Sequence, residues 1–288
     1  MTRIAGLIGH PVGHSISPQF QQAAFDALGI DARYERWDTP PEGLAPRVAA
    51  LRHEPYLGAN VTVPHKEAVL PLLDAVEPLA HRAGAVNTIV REDGRLRGYN
   101  TDVAGFRRAL AERGSFSAAA KRALVLGAGG AARAVVLALE LEAARSVTVA
   151  NRRHERALRL VEELRSRSGP PLTALPWEAA QQPEMLRSVE LLVHCTTIGM
   201  AGSAAARELP VRPEALAPHV FVCDVVANPR RTPLLLAAEA AGCRTLGGLP
   251  MLVYQGAASF ELWTGRAAPV AVMLAAADEA MLSLEAKG

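Results

Sequence analysis

The apolar positions of the first hundred residues predict short strands that alternate with helices. A helix is predicted to open at Pro18 and to end before Gly29, because apolar residues recur between them at helical spacing. Ser17 stands immediately before this helix, in the place of an N-cap. The predicted strands are Arg3–Ile8, Tyr34–Trp37 and Tyr56–Val63, and a second helix covers Leu44–Leu51.

Polar residues crowd the end of the third predicted strand, where Asn60, Thr62, His65 and Lys66 follow one another closely. Polar groups at the end of a buried strand cost free energy unless they are paired. Two interpretations are open at this point. Either the polar groups form a functional site, or they belong to a helix start with Pro64 at its first position and Thr62 or Val63 near the cap. A short helix is predicted over Lys66–Leu73.

A hairpin followed by a helix is predicted next. The strand-like runs Ala85–Val90 and Leu96–Tyr99 flank Asp93-Gly94, a dipeptide typical of tight hairpin turns. Asp102 then stands at the start of a helical pattern. A purely structural role for its carboxylate, as the cap of that helix, is therefore one interpretation.

From Arg122 onward, strands and helices alternate, which predicts a parallel sheet covered by helices on both faces. The polar stretch Gly114–Lys121 precedes this region as a boundary zone. Two apolar helices after the last strand must pack on another part of the chain. The predicted strands are Ala123–Leu126, Val147–Ala150, Glu190–His194, Val220–Val226 and Cys243–Leu246; the helices are Ala131–Leu141, His154–Ser166, Pro233–Ala241, Met251–Trp263 and Pro269–Leu284.

The composition of the chain argues against several classes of protein. With 288 residues, 50% of them apolar, the chain is long enough for two domains, and its net charge of +2 gives no general case for nucleic-acid binding. No apolar run reaches about eighteen residues, and the N-terminus lacks a signal-peptide pattern. The three cysteines are typical of core residues in a reducing compartment, and the eight histidines show no metal-ligand spacing. We therefore expect a cytoplasmic protein without a metal, nucleic-acid or membrane partner.

A glycine-rich turn with the spacing G-x-G-x-x-A separates the strand Ala123–Leu126 from the next helix. In such a turn Gly127 permits the tight bend, Gly129 lets the backbone approach a pyrophosphate, and Ala132 keeps the helix close to the sheet. The helix N-terminus presents free amides to phosphate groups. We therefore predict a dinucleotide site formed by Gly127, Ala128, Gly129, Gly130 and Ala131.

The end of the following strand predicts which dinucleotide binds. NAD sites usually carry an acidic residue there for the ribose hydroxyls. Here Asn151 is followed by three arginines, Arg152, Arg153 and Arg156, with no carboxylate at the tip. Cations at a helix N-terminus oppose the helix dipole, so these arginines do not stabilise the helix. Their guanidinium groups are instead suited to bind a 2′-phosphate. The pattern favours NADP over NAD.

Seven segments stand in order along nearly the whole chain: residues 13–18 (GHSISP), 60–66 (NVTVPHK), 84–88 (GAVNT), 98–102 (GYNTD), the glycine turn, 151–153 (NRR) and 248–255 (GLPMLVYQ). In identity and order they resemble the shikimate dehydrogenase family. This resemblance implies a two-domain α/β protein of aromatic amino acid biosynthesis. A substrate domain would comprise residues 1–103 and 250–288, with the C-terminal helices returning to it. Residues 104–249 would form a Rossmann-type, doubly wound NADP-binding domain.

The resemblance also implies roles for individual residues. Ser15 and Ser17 would hold the substrate carboxylate. The ring hydroxyls and the reacting oxygen would be surrounded by Thr62, Lys66, Asn87, Asp102 and Gln255. Besides the glycine turn and the arginines, NADP would be bound by Asn151, Thr196, Thr197, Gly248 and Met251.

The expected chemistry suits Lys66. When a hydride reduces a ketone, an ammonium group beside the developing alkoxide can stabilise its charge and deliver a proton. Asp102 can accept hydrogen bonds from substrate hydroxyls and keep Lys66 charged. Taken alone, Lys66 has the ordinary alternative of a solvated lysine. The family resemblance and Asp102 favour the catalytic role.

Two positions depart from the family pattern. Ala227 stands where the family usually has a tyrosine that contacts the substrate, and His194 stands where it usually has asparagine. A lost hydrogen bond to a charged group is worth about 1.5–3 kcal/mol if nothing replaces it. These two departures bear on which substrate the protein binds, and they bear less on the predicted fold.

The leading hypothesis is therefore reversible, NADP-dependent reduction of 3-dehydroshikimate to shikimate. One alternative is a paralogue acting on quinate or aminoshikimate with NAD or NADP, which Ala227 favours. Another is a dinucleotide-sensing protein without catalysis, against which Lys66 and Asp102 both argue. The sequence leaves monomer and homodimer equally open.

Overall fold

The computed structural model describes residues 1–167 and 169–286. They form two compact units, one of Met1–Gly105 with the C-terminal segment from Val253, the other of Phe106–Leu252. The last two residues of the predicted segment 250–288 lie outside the described residues. Which unit binds substrate and which binds the dinucleotide stays a prediction at this level.

The first unit contains a mixed sheet of six strands in the order β2-β1-β3-β5-β6-β4. Strand β1 runs parallel to β2 and β3, whereas β5 is antiparallel to both of its neighbours, β3 and β6. The register pairs Asn60 with Thr88, so polar side chains meet in the middle of this sheet. Its elements are β1 (Arg3–Gly9), α1 (Ser17–Ala27), β2 (Ala32–Asp38), α2 (Leu44–Ala50), β3 (Tyr56–Val61), β4 (Ala75–Val76), α3 (Pro78–Ala83), β5 (Thr88–Glu92), β6 (Arg95–Tyr99) and the start of α4 (Asp102–Arg108).

Strands β5 and β6 form the predicted hairpin. They pair in antiparallel register up to Glu92 and Arg95. The turn residues Asp93 and Gly94 both have positive φ, 51° and 79°. This is the conformation that tight hairpin turns require and that Asp-Gly adopts readily. The prediction is confirmed.

The helix predicted over Lys66–Leu73 is wrong. Strand β3 ends at Val61, and the chain continues through turns to a single 3-10 turn at Leu70–Leu72. The Lys66 carbonyl accepts a hydrogen bond from the Val86 amide at 2.8 Å, and the buried His65 ring contacts the Thr39 carbonyl oxygen at 2.7 Å. Tertiary partners therefore hold this turn, and they override the local helix signal of Pro64.

The C-terminal segment contributes α10 (Leu249–Thr264) and α11 (Val270–Glu285). Within the first unit α11 packs along α1, and Phe260 of α10 lies 5.1 Å from Phe25 between ring centroids. The Trp263 indole donates to the Ile89 carbonyl at 2.9 Å. Gly58 permits this contact, because a Cβ there would lie 2.0 Å from the same carbonyl oxygen. The predicted return of these helices to the N-terminal domain is confirmed.

The second unit contains an all-parallel sheet in the order β12-β11-β10-β7-β8-β9. Read from the other edge, this is the doubly wound order in which the direction of winding reverses between β7 and β10. The parallel, doubly wound prediction is confirmed. The elements are β7 (Arg122–Leu126), α5 (Gly130–Leu141), β8 (Ser146–Asn151), α6 (His154–Leu164), β9 (Leu172–Pro176), α7 (Trp177–Ala180), α8 (Pro183–Arg187), β10 (Leu191–His194), β11 (Phe221–Asp224), α9 (Pro233–Ala240) and β12 (Thr245–Leu246).

The strand β9 and the short helices α7 and α8 lie in a stretch for which the apolar pattern predicted no element. Pro170, Pro171, Pro176 and Pro183 interrupt that stretch and obscure both periodicities. None of the helices within the described residues is long and apolar enough to cross a membrane.

Candidate active site and dinucleotide site

Lys66 and Asp102 form an ion pair inside the first unit. The ammonium nitrogen lies 2.6 Å from Asp102 Oδ2, and the two side chains are 19% and 7% exposed. Lys66 is presented by the turn after β3, and Asp102 is the first residue of α4. A pair with this little exposure is only weakly screened by salt.

Asn87 joins one further predicted residue, Gln255, to this pair. Its Nδ2 donates to Asp102 Oδ1 at 2.8 Å and to Gln255 Oε1 at 3.1 Å. The opposite side of the amide is fixed, since Asn87 Oδ1 accepts the Thr101 backbone N–H at 2.7 Å. The structure thus brings Lys66, Asn87, Asp102 and Gln255 together through hydrogen bonds. The backbone N–H of Asp102 is itself held by Asn100 Oδ1 at 3.1 Å, while the Asp102 carboxylate binds Lys66 and Asn87.

The two predicted serines form a second group at the start of α1. Ser15 Oγ accepts the Ser17 backbone N–H and donates to Ser17 Oγ, both at 3.2 Å. The helix begins at Ser17 itself, and Ile16 occupies the N-cap position. The N-cap prediction for Ser17 is therefore wrong. Both Nε and Nη2 of Arg36 donate to the Ser15 carbonyl, at 3.0 and 2.7 Å, which fixes the loop.

Thr62 follows the last residue of β3 and is half-buried. Its backbone N–H donates to the Ile8 carbonyl at 2.8 Å. Its methyl group packs against β1, where a Cβ at Gly9 would lie 2.4 Å from it. Glycine at position 9 therefore allows Thr62 to sit close to the first strand.

The glycine turn of the second unit has the geometry that its sequence predicts. Gly127 has a φ of 120°, and a Cβ there would lie 2.8 Å from the Cys195 carbonyl oxygen. At Gly129 a Cβ would meet no heavy atom within 4 Å, so the space beside the N-terminus of α5 is open. Ala132 is fully buried against the sheet. The turn stands where the strand order reverses, the place where doubly wound sheets bind ligands.

The predicted arginines surround the start of α6. Arg152, Arg153 and Arg156 are exposed, and Asn151 Nδ2 donates to the Arg153 carbonyl at 2.9 Å. Arg153 occupies the N-cap position without capping the helix through its side chain. Cations at this end of a helix are unfavourable by themselves, so the arrangement is suited to an anion.

His194 and Asp224 end the neighbouring strands β10 and β11 and form a fully buried pair. His194 Nδ1 lies 2.9 Å from Asp224 Oδ1, and Nε2 lies 2.5 Å from the Thr196 hydroxyl. Asp224 Oδ2 accepts the Thr232 hydroxyl at 2.7 Å, and Oδ1 accepts the Val226 backbone N–H at 3.0 Å. The pair therefore anchors the loops that follow both strands.

The remaining predicted dinucleotide residues border these loops. Thr197 is exposed and Met251 is buried. Gly248 allows close packing, since a Cβ there would lie 2.3 Å from the Val225 carbonyl oxygen. Burial, reinforced by Cys223 and Asp224, raises the pKa of the Cys195 thiol, so this cysteine is no thiolate nucleophile at neutral pH. Within residues 1–167 and 169–286, no group of three or more histidine, cysteine or acidic side chains is arranged to hold a metal ion.

Comparison with known proteins decides the family. Residues 7–89 match the shikimate dehydrogenase substrate-binding domain, residues 109–230 match shikimate/quinate 5-dehydrogenase, and residues 248–277 match the shikimate 5′-dehydrogenase C-terminal domain. The chain is 48% identical over 281 residues to the shikimate dehydrogenase (NADP(+)) of Moorella thermoacetica. The aligned region covers 97% of this chain and 94% of that protein. The chain belongs to the shikimate dehydrogenase family.

Solved structures agree with this assignment. The shikimate 5-dehydrogenase of Thermus thermophilus, in complex with NADP(H) and shikimate, is 41% identical, with a TM-score of 0.86 over 96% of this chain and 99% of that one. The quinate dehydrogenase of Corynebacterium glutamicum, in complex with NAD, is 32% identical, with a TM-score of 0.88 over 98% and 99%. Shikimate and quinate dehydrogenases therefore share this fold.

Within the shikimate dehydrogenase family pattern, the departures at His194 and Ala227 have different structural consequences. His194 is integrated into the buried pair with Asp224, so the substitution is accommodated by hydrogen bonds. Ala227 is half-buried in the loop after β11 and has no hydroxyl group to offer. The hydrogen bond expected of a tyrosine is therefore absent from this side chain.

Sequence reasoning missed a set of buried polar residues next to the predicted site. One signal was available, because Ser259 follows Gln255 by four residues and so lies on the same face of α10. Two others are direct neighbours of predicted residues in the chain. The missed residues are Tyr34, Thr88, Thr101 and Ser259, which are all buried in the first unit.

Proposed function

We propose that this protein catalyses the reversible, NADP-dependent reduction of 3-dehydroshikimate to shikimate. The observation that carries the proposal is the shielded ion pair between Lys66 and Asp102, with Asn87 and Gln255 bonded to it. The Thermus thermophilus enzyme, whose structure contains NADP(H) and shikimate, supports the choice of substrate and cofactor.

Lys66 acts as the proton donor in the direction of reduction. Reduction of a ketone adds a hydride to the carbon and a proton to the oxygen, and the ammonium group supplies the proton while it stabilises the developing charge. In the reverse direction the neutral amine takes the hydroxyl proton. Asp102 holds the Lys66 nitrogen in place at 2.6 Å.

The remaining side chains bind and orient the substrate. Asn87 and Gln255 can bond ring hydroxyls because each amide has both a donor and an acceptor group. Ser15 and Ser17 bind the substrate carboxylate through their hydroxyl groups, and Thr62 adds a third hydroxyl. The Arg36 guanidinium donates to the Ser15 carbonyl and so holds the loop that carries Ser15.

The second unit fits NADP, which when bound would supply the hydride from its reduced form in ketone reduction and accept it in the reverse direction. The open space at Gly129 and the free amides of α5 suit a pyrophosphate. Arg152, Arg153 and Arg156 suit the 2′-phosphate that distinguishes NADP from NAD. The other residues proposed to contact the cofactor are Asn151, Thr196, Thr197, Gly248 and Met251.

A second candidate function is oxidation of quinate. Ala227 favours it, because the small side chain leaves room that a tyrosine ring would fill. The similar quinate dehydrogenase of Corynebacterium glutamicum was solved with NAD, so relaxed cofactor choice belongs to the same alternative.

The test is an absorbance assay of nicotinamide reduction with shikimate, quinate and aminoshikimate, each with NADP and with NAD. We expect the highest kcat/KM for shikimate with NADP. A higher value for quinate would establish the second candidate instead. Measurable NADP binding without reduction by any of the three substrates would overturn both and indicate a dinucleotide-sensing protein.

A further inference from the structure

A continuous series of buried amides and hydroxyls connects β2 to the Lys66–Asp102 pair. Each neighbour in the series lies within hydrogen-bond distance of the next, and all of its members belong to the first unit. None of them except Asn87 and Asp102 has a role in the proposed reaction. The members, in order, are Tyr34, Asn60, Ser259, Thr88, Asn87 and Asp102, each at most 6% exposed.

The series begins at the Tyr34 phenol. Its hydroxyl donates to Asn60 Oδ1 at 2.7 Å. Burial raises the pKa of Tyr34 far above its usual range, so the phenol keeps its proton at every working pH. Because Tyr34 occupies the oxygen side of the Asn60 amide, the nitrogen side must face the other way.

The orientation of the Asn60 amide in turn determines the hydrogen bonds of two hydroxyl groups. Its Nδ2 donates to Ser259 Oγ at 2.9 Å and to Thr88 Oγ1 at 3.2 Å. Both hydroxyls accept from Asn60, so their own protons point elsewhere. Ser259 donates to the Gln255 carbonyl at 3.0 Å, and Thr88 donates to Asn87 Oδ1 at 3.2 Å.

Asn87 completes the series. Its Oδ1 accepts from Thr88 and from the Thr101 backbone N–H, so its Nδ2 faces Asp102 Oδ1. In the opposite orientation an amide oxygen would face the carboxylate, and the two acceptors would repel each other. With Oδ1 of Asp102 bonded in this way, Oδ2 is presented to Lys66.

We infer that Tyr34 is a positioning residue for proton transfer, acting through the Asn60 and Asn87 amides on the Lys66–Asp102 pair. The inference rests on the proposed function, since it concerns the proton donor of that reaction. The Tyr34 hydroxyl bonds to Asn60 and not directly to the pair, and Tyr34 is remote from the pair in sequence. Its hydroxyl favours the observed orientation of the Asn60 amide and, through Thr88, adds to the Thr101 backbone N–H in orienting the Asn87 amide.

Tyr34→Phe tests the inference, because it removes the hydroxyl and keeps the ring. We expect kcat for shikimate oxidation to fall about three- to tenfold, with the KM values for shikimate and NADP within about twofold of wild type. The matched control is Tyr56→Phe, whose ring packs edge-on against Trp37 with centroids 5.6 Å apart, and it should keep the wild-type kcat. Melting temperatures, measured in parallel, establish that the assays use folded protein.

A second pair of variants separates orientation from packing and remains decisive if Tyr34→Phe does not fold. Thr88→Val keeps the shape of the side chain and removes the hydroxyl, whereas Thr88→Ser keeps the hydroxyl. We expect Thr88→Val to lower kcat and Thr88→Ser to retain most of it. Wild-type kcat in Tyr34→Phe, or an equal fall in both Thr88 variants, overturns the inference. Wild-type protein that makes no NADPH from shikimate refutes the proposed function instead.

Discussion

The two units place their buried polar side chains differently. In the first unit, amides and hydroxyls lie inside the sheet itself, as Asn60 on β3 and Thr88 on β5 show. In the second unit, the buried polar side chains of the described residues are His194, Asp224 and Thr232, at or beyond the ends of strands. The strands between are apolar, as is usual for a parallel sheet covered on both faces.

This difference matches two kinds of recognition. A small ring that carries several hydroxyl groups is distinguished by directional side-chain hydrogen bonds, which need fixed amides and carboxylates. A pyrophosphate is held by backbone amides and a glycine turn, which need little from side chains. Substitutions in the first unit should therefore act mainly on turnover, and substitutions in the second mainly on cofactor affinity or stability.

Lys66→Ala should give the largest effect. Loss of a general acid lowers kcat by about 10²- to 10⁴-fold, while the KM for shikimate should change much less because other groups bind the substrate. Steady-state kinetics measure both values. Lys121→Ala, an exposed lysine of the second unit, is the control. An unchanged kcat would remove Lys66 from proton transfer.

Arg152→Ala should weaken NADP binding by about 10- to 100-fold, since a hydrogen bond to a charged group contributes about 1.5–3 kcal/mol. The affinity for NAD, which lacks the 2′-phosphate, should stay the same. Titration calorimetry with each dinucleotide measures the two constants. Arg165→Ala, at the far end of α6, is the control. Equal losses for NADP and NAD would contradict the assignment of this arginine to the 2′-phosphate.

Gly129→Ala should weaken NADP binding about tenfold and leave the melting temperature nearly unchanged, because the added methyl group enters open space that we assign to phosphate. Gly127→Ala is the contrasting variant. It forces a φ of 120° on alanine and a contact of 2.8 Å with the Cys195 carbonyl, so it should lower the melting temperature. Wild-type affinity in Gly129→Ala would show that the turn does not approach the cofactor.

Glu190→Gln should have the smallest effect, confined to stability. The hydrogen bond from Arg122 lowers the pKa of Glu190 from its ordinary 4.5 to about 2. A lowered pKa adds stability above pH 4.5 that is lost as the pH falls towards 2. We expect the variant to lose at most about 1 kcal/mol at pH 7, since the pair is partly exposed, and nothing near pH 2.

Urea unfolding at several pH values measures this difference, with the exposed Glu162→Gln as the control. A loss that persists at pH 2 would mean that Glu190 stabilises the fold by packing and not through its charge. A change in kcat would contradict the prediction that the effect of Glu190 is confined to stability.

Sequence reasoning succeeded where the deciding interactions are local. The Asp93-Gly94 turn forms a hairpin because its conformation depends on those two residues. The glycine turn, likewise, carries its geometry in the spacing of Gly127 and Gly129. The predicted helix after Pro64 failed, because the Lys66 carbonyl bonds to Val86, a partner that no local pattern reveals.

The series of buried amides and hydroxyls from Tyr34 to Asp102 could not be predicted from the sequence for the same reason. Tyr34 is an ordinary residue of a predicted strand, and nothing near it in the chain indicates a polar partner. Ser259 shares a helix face with Gln255, but that spacing does not indicate Asn60 as its partner. Their contacts with Asn60 appear only after the sheet and the C-terminal helix have met. The role of Asp102 was easier to predict from the sequence, although its position also suited a helix cap.

The bond between Asn60 and Ser259 joins residues that are 199 positions apart in the chain. During synthesis, the second unit therefore emerges from the ribosome before the first has its final partner. Domains generally fold in the order in which they are made, but here Asn60 of the N-terminal sheet gains Ser259 as a partner only after α10 has been made. A chain that stops before Val253 lacks both Ser259 and Gln255, so it contains the glycine turn and the arginines in full but only part of the proposed substrate site. In the growing chain, the proposed dinucleotide-binding residues up to Met251 are therefore present before the proposed substrate site is complete.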